Sequence, residues 1–169
     1  DLGAMVCTPR RPDCSRCPLG PHCQARAEGV AADLPVKRAR AARPERRGVA
    51  FWVERGDGAV LLRKRPPKGL LGGMSEIPSS PWRQDGQDES EVLAAAPIHG
   101  EWQKIGEVEH TFTHFHLKLA VWRGDGGADP ALRAGADPQR CYWIDRGALS
   151  GEALPSLMRK VVALAAAKG

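Results

Sequence analysis

Four of the five cysteines fall within seventeen residues, as Cys7, Cys14, Cys17 and Cys23 in "CTPRRPDCSRCPLGPHC". The spacing is C-x6-C-x2-C-x5-C, and Pro9, Pro12, Pro18 and Pro21 interrupt it. Proline removes a backbone donor and fixes φ, so this segment cannot be a helix and must wrap around something. Three chemistries fit four thiols. Disulfides suit small secreted domains, yet no basic-then-apolar export signal opens the chain. Zinc accepts four thiolates, but its sites usually show two close pairs, and here one close pair has a single cysteine on each side. A [4Fe–4S] cube takes one thiolate per iron. The fifth cysteine, Cys141 in "RCYWID", stands apart and is expected to be a buried apolar residue.

The chain has 169 residues, 42% of them hydrophobic and 27% charged, which is enough for one real core with a small appendage. No uninterrupted apolar run reaches the roughly 18 residues of a membrane span. The formal net charge of +5 favours an acidic partner such as nucleic acid. "DLGAMVC" reads as the end of an amphipathic helix, which predicts a longer parent protein. Residues 33–47, "DLPVKRARAARPERR", hold six basic and two acidic residues and few large apolar ones, the composition of a linker.

Beyond the linker the pattern changes. "GVAFWVER" and "AVLLRKR" flank a Gly-Asp-Gly turn and predict a β-hairpin. "EWQKIGEVEH" and "FHLKLAVWR" predict a second pair of strands. In the latter, Phe115, Leu117, Leu119 and Val121 alternate with His116, Lys118, Ala120 and Trp122. "RCYWID" is a fifth short strand, "ESEVLAAAP" a short helix, and "LPSLMRKVVALAAAK" a longer one. Pro155 suits the first turn of that helix, and Leu157, Val161 and Leu164 share a face. Strands mixed with one or two helices predict an α+β fold.

"DLGAMVC" followed by C-x6-C-x2-C-x5-C resembles the iron–sulfur loop that closes helix-hairpin-helix DNA glycosylases, the MutY and endonuclease III group. "KGLLGGMSEIPSSPW" resembles the entry to a nudix domain, with its Gly-Gly-x-x-Glu-x-Pro segment. A nudix hydrolase continues with an Arg-Glu-x-x-Glu-Glu helix that holds Mg²⁺. Here the chain reads "IPSSPWRQDGQDESEVLAAAP" instead, so Asp85, Asp88, Glu89 and Glu91 read as a solvated loop and helix start. An iron–sulfur loop, a basic linker and a nudix-like domain without that helix resemble, in this order, the MutY-type adenine DNA glycosylases. "ALPSLMRKV" is similar to that family's last helix.

The resemblance implies three parts. Residues 1–25 are the end of a helical glycosylase domain with its cluster loop, 26–47 a basic interdomain linker, and 48–169 a nudix-like 8-oxoguanine-recognition domain. The implied fold is a nudix-like mixed β-sheet with flanking helices, preceded by a small irregular iron–sulfur loop. Cys7, Cys14, Cys17 and Cys23 become ligands of a [4Fe–4S] cluster. Arg10, Arg11, Arg16, Lys37, Arg38 and Arg40 become contacts to the DNA backbone. The family reads the base opposite its target adenine with a Phe-Ser-His loop between two strands. Phe112, Thr113 and His114 match it, with threonine for serine, which keeps the hydroxyl and stiffens χ1.

The implied partner is double-stranded DNA with an adenine–8-oxoguanine mispair, bound by a monomer in the bacterial cytoplasm with the nucleoid and without a membrane. The family's catalytic carboxylates lie upstream, so no catalytic residue is assigned and this chain is expected to bind and discriminate rather than cleave. Two other readings remain at this stage. One is a nudix-type nucleotide hydrolase with a zinc-binding tail. The other is a non-enzymatic interaction module. His114 and His116, two apart, suit metal chelation from one strand face, but no acid or thiol sits beside them, so a structural role is expected for His110 and His116.

Overall fold

The computed structural model describes residues 1–36 and 42–168. The chain divides into two compact units, Asp1–Ala42 and Arg43–Gly169.

The first unit opens with α1 (Leu2–Met5), capped by Asp1, whose carboxylate accepts from the Gly3 amide at 3.1 Å. The proline-rich stretch that follows is irregular until a 3₁₀ turn at Gly20–His22 and α2 (Gln24–Ala27). Among residues 1–36 only Gly20 is buried.

The second unit is built on a sheet. β1 (Glu45–Glu54) and β2 (Ala59–Lys64) are joined by the Gly-Asp-Gly turn, as predicted. Gly58 takes φ +83°, a conformation open to glycine without Cβ strain. Asp57 accepts from the Ala59 amide at 3.1 Å and pairs with Arg55 at 2.6 Å. The hydrogen bond from Arg55, with help from that amide, lowers its carboxyl to about 2.

The hairpin is short-lived, because β1 and β2 pair at Glu54↔Val60 and then diverge. β1 takes a different main partner. β3 (Ser75–Glu76), α3 (Glu89–Ala94), β4 (Trp102–Thr111) and β5 (His116–Asp125) follow, and β5 lies parallel to β1 from Glu45↔His116 to Glu54↔Asp125. β4 pairs antiparallel with β5, β3 with β2, and β6 (Cys141–Asp145) with the other edge of β2. On the edge of β1 that β2 leaves, residues 78–83 run alongside, with Phe51 N–H donating to Pro78 and Arg47 N–H to Arg83.

β1 begins at Glu45, inside the stretch read as linker from its charge. Its polar residues are accommodated at the sheet: Glu45 pairs with Lys118 on β5 at 2.8 Å. From Gly48 to Val53 every residue is buried, as expected of a central strand covered on both faces. Ala50 and Trp52 face α4 (Ser156–Ala167), while Val49 and Phe51 pack with Val92 of α3. The alternation read in β5 holds, since Phe115, Leu117, Leu119 and Val121 all point into the core. In α4, Leu157 and Val161 are fully buried and Leu164 half-buried. Each fully buried aliphatic chain contributes about 1.5–3 kcal/mol. Leu164 sits over a β-bulge in β4, where a Cβ on Gly106 would come within 2.9 Å of it. The end of α4 is held from β5, because Arg123 donates to the carbonyls of Ala165 at 2.7 Å and Lys168 at 2.9 Å. Among the described residues no helix is long and apolar enough to cross a membrane.

Candidate nucleic-acid interface and cysteine cavity

In the first unit Cys7, Cys14, Cys17 and Cys23 line one cavity, with Val6, Pro12, Ala31 and Leu34 among its other walls. Local bonds put them there. Cys7 N–H donates to the carbonyl of Leu2, the first residue of α1, the Cys17 carbonyl accepts from Gly20, and the Cys23 carbonyl accepts from Ala27. None of the four is in a disulfide. Among the described residues no three His, Cys, Asp or Glu side chains stand close enough to hold a single ion. Four free thiols around one largely apolar cavity are a donor set that fits a larger thiolate-bound group. Arg10, Arg11 and Arg16 are exposed on the same loop, with Arg16 between Cys14 and Cys17. Lys37, Arg38 and Arg40 lie outside the described residues. Cys141 is half-buried in β6 rather than buried, because its thiol stays at the sheet edge and donates to the Ala136 carbonyl at 3.4 Å. Burial pushes this thiol's pKa up.

In the second unit residues 112–115 connect β4 to β5. Phe112 N–H donates to the Phe115 carbonyl at 2.8 Å and closes the turn. Thr113 and His114 are exposed at its tip, and Phe112 is half-buried behind them. Arg43 Nε donates to the Thr113 carbonyl at 3.2 Å. Among the described residues the backbone N–H groups of Thr113 and His114 donate to none, so both remain available to a ligand.

Behind the tip lies an aromatic cluster. Phe112 and Phe115 have ring centroids 4.7 Å apart, and His110 meets Phe112 edge-on at 4.6 Å. Trp82 stacks on Phe112 at 5.8 Å, and the Arg46 guanidinium lies 4.4 Å from the Phe115 centroid. The three histidines thus do different things. His114 is at the tip. His116 bonds Thr111 Oγ1 at 2.9 Å and approaches Glu109 at 3.4 Å. His110 is packed against a ring.

Burial lowers the His110 pKa below its ordinary value near 6.5, and the charges of Lys160 and His116 lower it further. The unfolded chain therefore takes up the proton first as pH falls. Stability is expected to drop as pH decreases below about 6.5, until the folded-state pKa is passed. Urea midpoints at successive pH values check this, with His110→Asn flattening that part of the profile. An NMR titration that places the His110 midpoint above 6.5 would contradict it.

Beside the aromatic cluster is a cavity of about 570 Å³ with Arg46, Arg63, Arg65 and Arg140 on its walls, and Trp82 and Glu76 among them. Glu76 is 2% exposed and accepts from Arg63 Nε at 2.9 Å and from Arg65. Asp88 caps α3 by accepting from the Glu91 amide at 2.8 Å, and Asp85, Glu89 and Glu91 are exposed, the solvated arrangement expected of them. Sequence reading missed Trp82, Arg43 and Arg46 as parts of the loop's surroundings. Arg43 and Arg46 lie in the charged stretch read as linker, and Trp82 lies in a segment without periodic signal, where the bulk of "SSPW" was the one local hint.

The NUDIX domain family matches residues 49–164. Adenine DNA glycosylase of Homo sapiens is 27% identical, over 95% of this chain and 38% of that protein. Adenine DNA glycosylase of Arabidopsis thaliana is 28% identical, over 95% of this chain and 31% of that protein. The chain therefore spans between three and four tenths of the length of these two relatives. Among solved structures, the C-terminal domain of mouse MUTYH, crystallised in a complex with human PCNA, aligns at 24% identity with a TM-score of 0.56, covering 72% of this chain and 88% of that one. The MutT protein of Methanosarcina mazei Go1 aligns at 17% identity with a TM-score of 0.57, covering 73% of this chain and 94% of that one. Both share the mixed sheet with flanking helices. Along 95% of its length the chain is similar to adenine DNA glycosylases, and it belongs to the NUDIX domain family.

Proposed function

We propose that this chain is the lesion-recognition part of an adenine DNA glycosylase, binding duplex DNA that carries adenine opposite 8-oxoguanine. The observation that carries the reading is the exposed Thr113–His114 tip on a turn backed by Phe112, in a homologue of adenine DNA glycosylases. Oxidation at C8 gives guanine a new carbonyl acceptor and turns N7 into a donor. The Thr113 hydroxyl can accept from that N–H, but it can also rotate and donate to ordinary N7. A backbone amide cannot rotate in this way. The free amides of Thr113 and His114 therefore suit the O8 carbonyl, and Phe112 supports them from behind.

Cys7, Cys14, Cys17 and Cys23 would hold a [4Fe–4S] cluster, which would order the loop that carries Arg10, Arg11 and Arg16 for phosphate contact. The alternative of a nucleotide hydrolase needs a helix of clustered carboxylates after Glu76. The next helix instead uses Asp88 as its cap, pairs Glu91 with Arg83 at 3.2 Å and leaves Glu89 to solvent.

The test is affinity for 8-oxoguanine–adenine against guanine–adenine duplexes at fixed salt, in the full-length natural protein. Thr113→Ala should reduce the preference by no more than about 1–3 kcal/mol, the scale of one base-edge contact. Thr113→Ser should be nearly silent. Replacing Phe112, Thr113 and His114 together by glycine should cost more than Thr113→Ala. An intact preference after that replacement would overturn the reading.

A further inference from the structure

The recognition turn does not hold itself in place. Its two tip residues are exposed, and a single backbone bond closes it. The rigid body behind it is Trp82, which comes from the segment beside β1. Trp82 stacks on Phe112 with 30° between the ring planes and lies 6.4 Å from Phe115. Its own position is set from two sides. Beneath it is Gly48, where a Cβ would come within 2.8 Å of Trp82 Cδ1, so only glycine leaves room for the indole. Beside it the Arg65 guanidinium lies 5.3 Å from the ring centroid, and Arg65 is anchored on buried Glu76. The segment's backbone is tied down as well, with Arg83 and Arg47 exchanging bonds of 3.0 and 2.7 Å.

The geometry points to Trp82 as the positioning residue of the recognition turn, seated by Gly48 and Arg65 and setting the depth and angle of Phe112. Glu76, the retained acid of the Gly-Gly-x-x-Glu-x-Pro segment, then serves this stack by holding Arg65. The inference rests on the reading of Phe112, Thr113 and His114 as lesion contacts. A flat aromatic support suits this task. It fixes a ring by a broad contact in one orientation, whereas an aliphatic side chain would let it tilt. Small displacements matter because a base-edge hydrogen bond tolerates only a few tenths of an ångström.

The experiment compares Trp82→Ala, Trp82→Phe and Gly48→Ala with the triple-glycine turn in the full-length natural protein, using the same two duplexes. Trp82→Ala should cut the 8-oxoguanine preference at least about fivefold, the low end of one base-edge contact. Affinity for the guanine–adenine duplex and its salt slope, which phosphate contacts set, should stay within about twofold. Trp82→Phe should restore most of the preference, and Gly48→Ala, which leaves the indole intact but displaces it, should mimic Trp82→Ala. In ¹⁵N spectra the Thr113 and His114 amides should shift in Trp82→Ala. If the triple-glycine turn abolishes the preference while Trp82→Ala retains it, the inference fails and the lesion-contact reading stands. If the triple-glycine turn leaves the preference intact, that reading fails and takes the inference with it. Equal losses on both duplexes, or no rescue by Trp82→Phe, would reduce Trp82 to a stability role and overturn the inference.

Discussion

Anaerobically reconstituted protein is expected to be brown and to carry about four irons and four sulfides per chain, and Cys17→Ala is expected to lose both. The physical ground is the arrangement of the four thiols. Cys7, Cys14, Cys17 and Cys23 are free and line one cavity, so a single thiolate-bound group would reach all four and cross-link the proline-rich loop. Loss of the group should expose residues 8–34 to limited proteolysis while the sheet of the second unit stays protected. Cys141→Ala should leave iron unchanged, because burial raises that thiol's pKa and a protonated thiol is a poor ligand. Stoichiometric zinc without iron under these conditions would overturn the assignment.

Glu76→Ala is expected to destabilise the second unit by about 3–5 kcal/mol, the cost of leaving buried charge unpaired. Glu76 accepts from two guanidiniums, Arg63 at 2.8–2.9 Å and Arg65. Removing it leaves two like charges facing each other at a protein wall. The arginine side chains are 18% and 19% exposed toward the cavity, so water offsets part of the penalty and the lower end of the range is expected. Adding Arg63→Met to Glu76→Ala should recover stability, since one stranded charge is then gone. Urea unfolding measures this through a shift of midpoint at constant slope. A loss below about 1 kcal/mol would place the pair among weak surface bridges.

Several features were legible in residue order because they are local. The alternation from Phe115 to Val121 follows from the two-residue period of a strand, and all four residues are buried. The Gly-Asp-Gly turn follows from the backbone freedom it needs, and the face shared by Leu157 and Val161 follows from the helical period. The site was legible only as a string. The cysteine spacing and the Phe-Thr-His triplet pointed to chemistry without showing what surrounds it.

Pairing between distant segments is a different matter. The period of β1 says which side chains point which way, but it names no neighbour: the hairpin it predicts forms at the turn, at Glu54↔Val60, while β5 pairs along the whole strand. The parallel alignment of β1 with β5 arises because burying both faces of β1 requires a centre position in the sheet. That position in turn brings residues 78–83 alongside β1, Trp82 over Gly48 and onto Phe112, and Arg63 and Arg65 to one buried carboxylate. Trp82 and Phe112 lie thirty positions apart with no shared periodicity. Their contact is decided by the packing of the whole sheet, since only there do the two rings exclude water from each other.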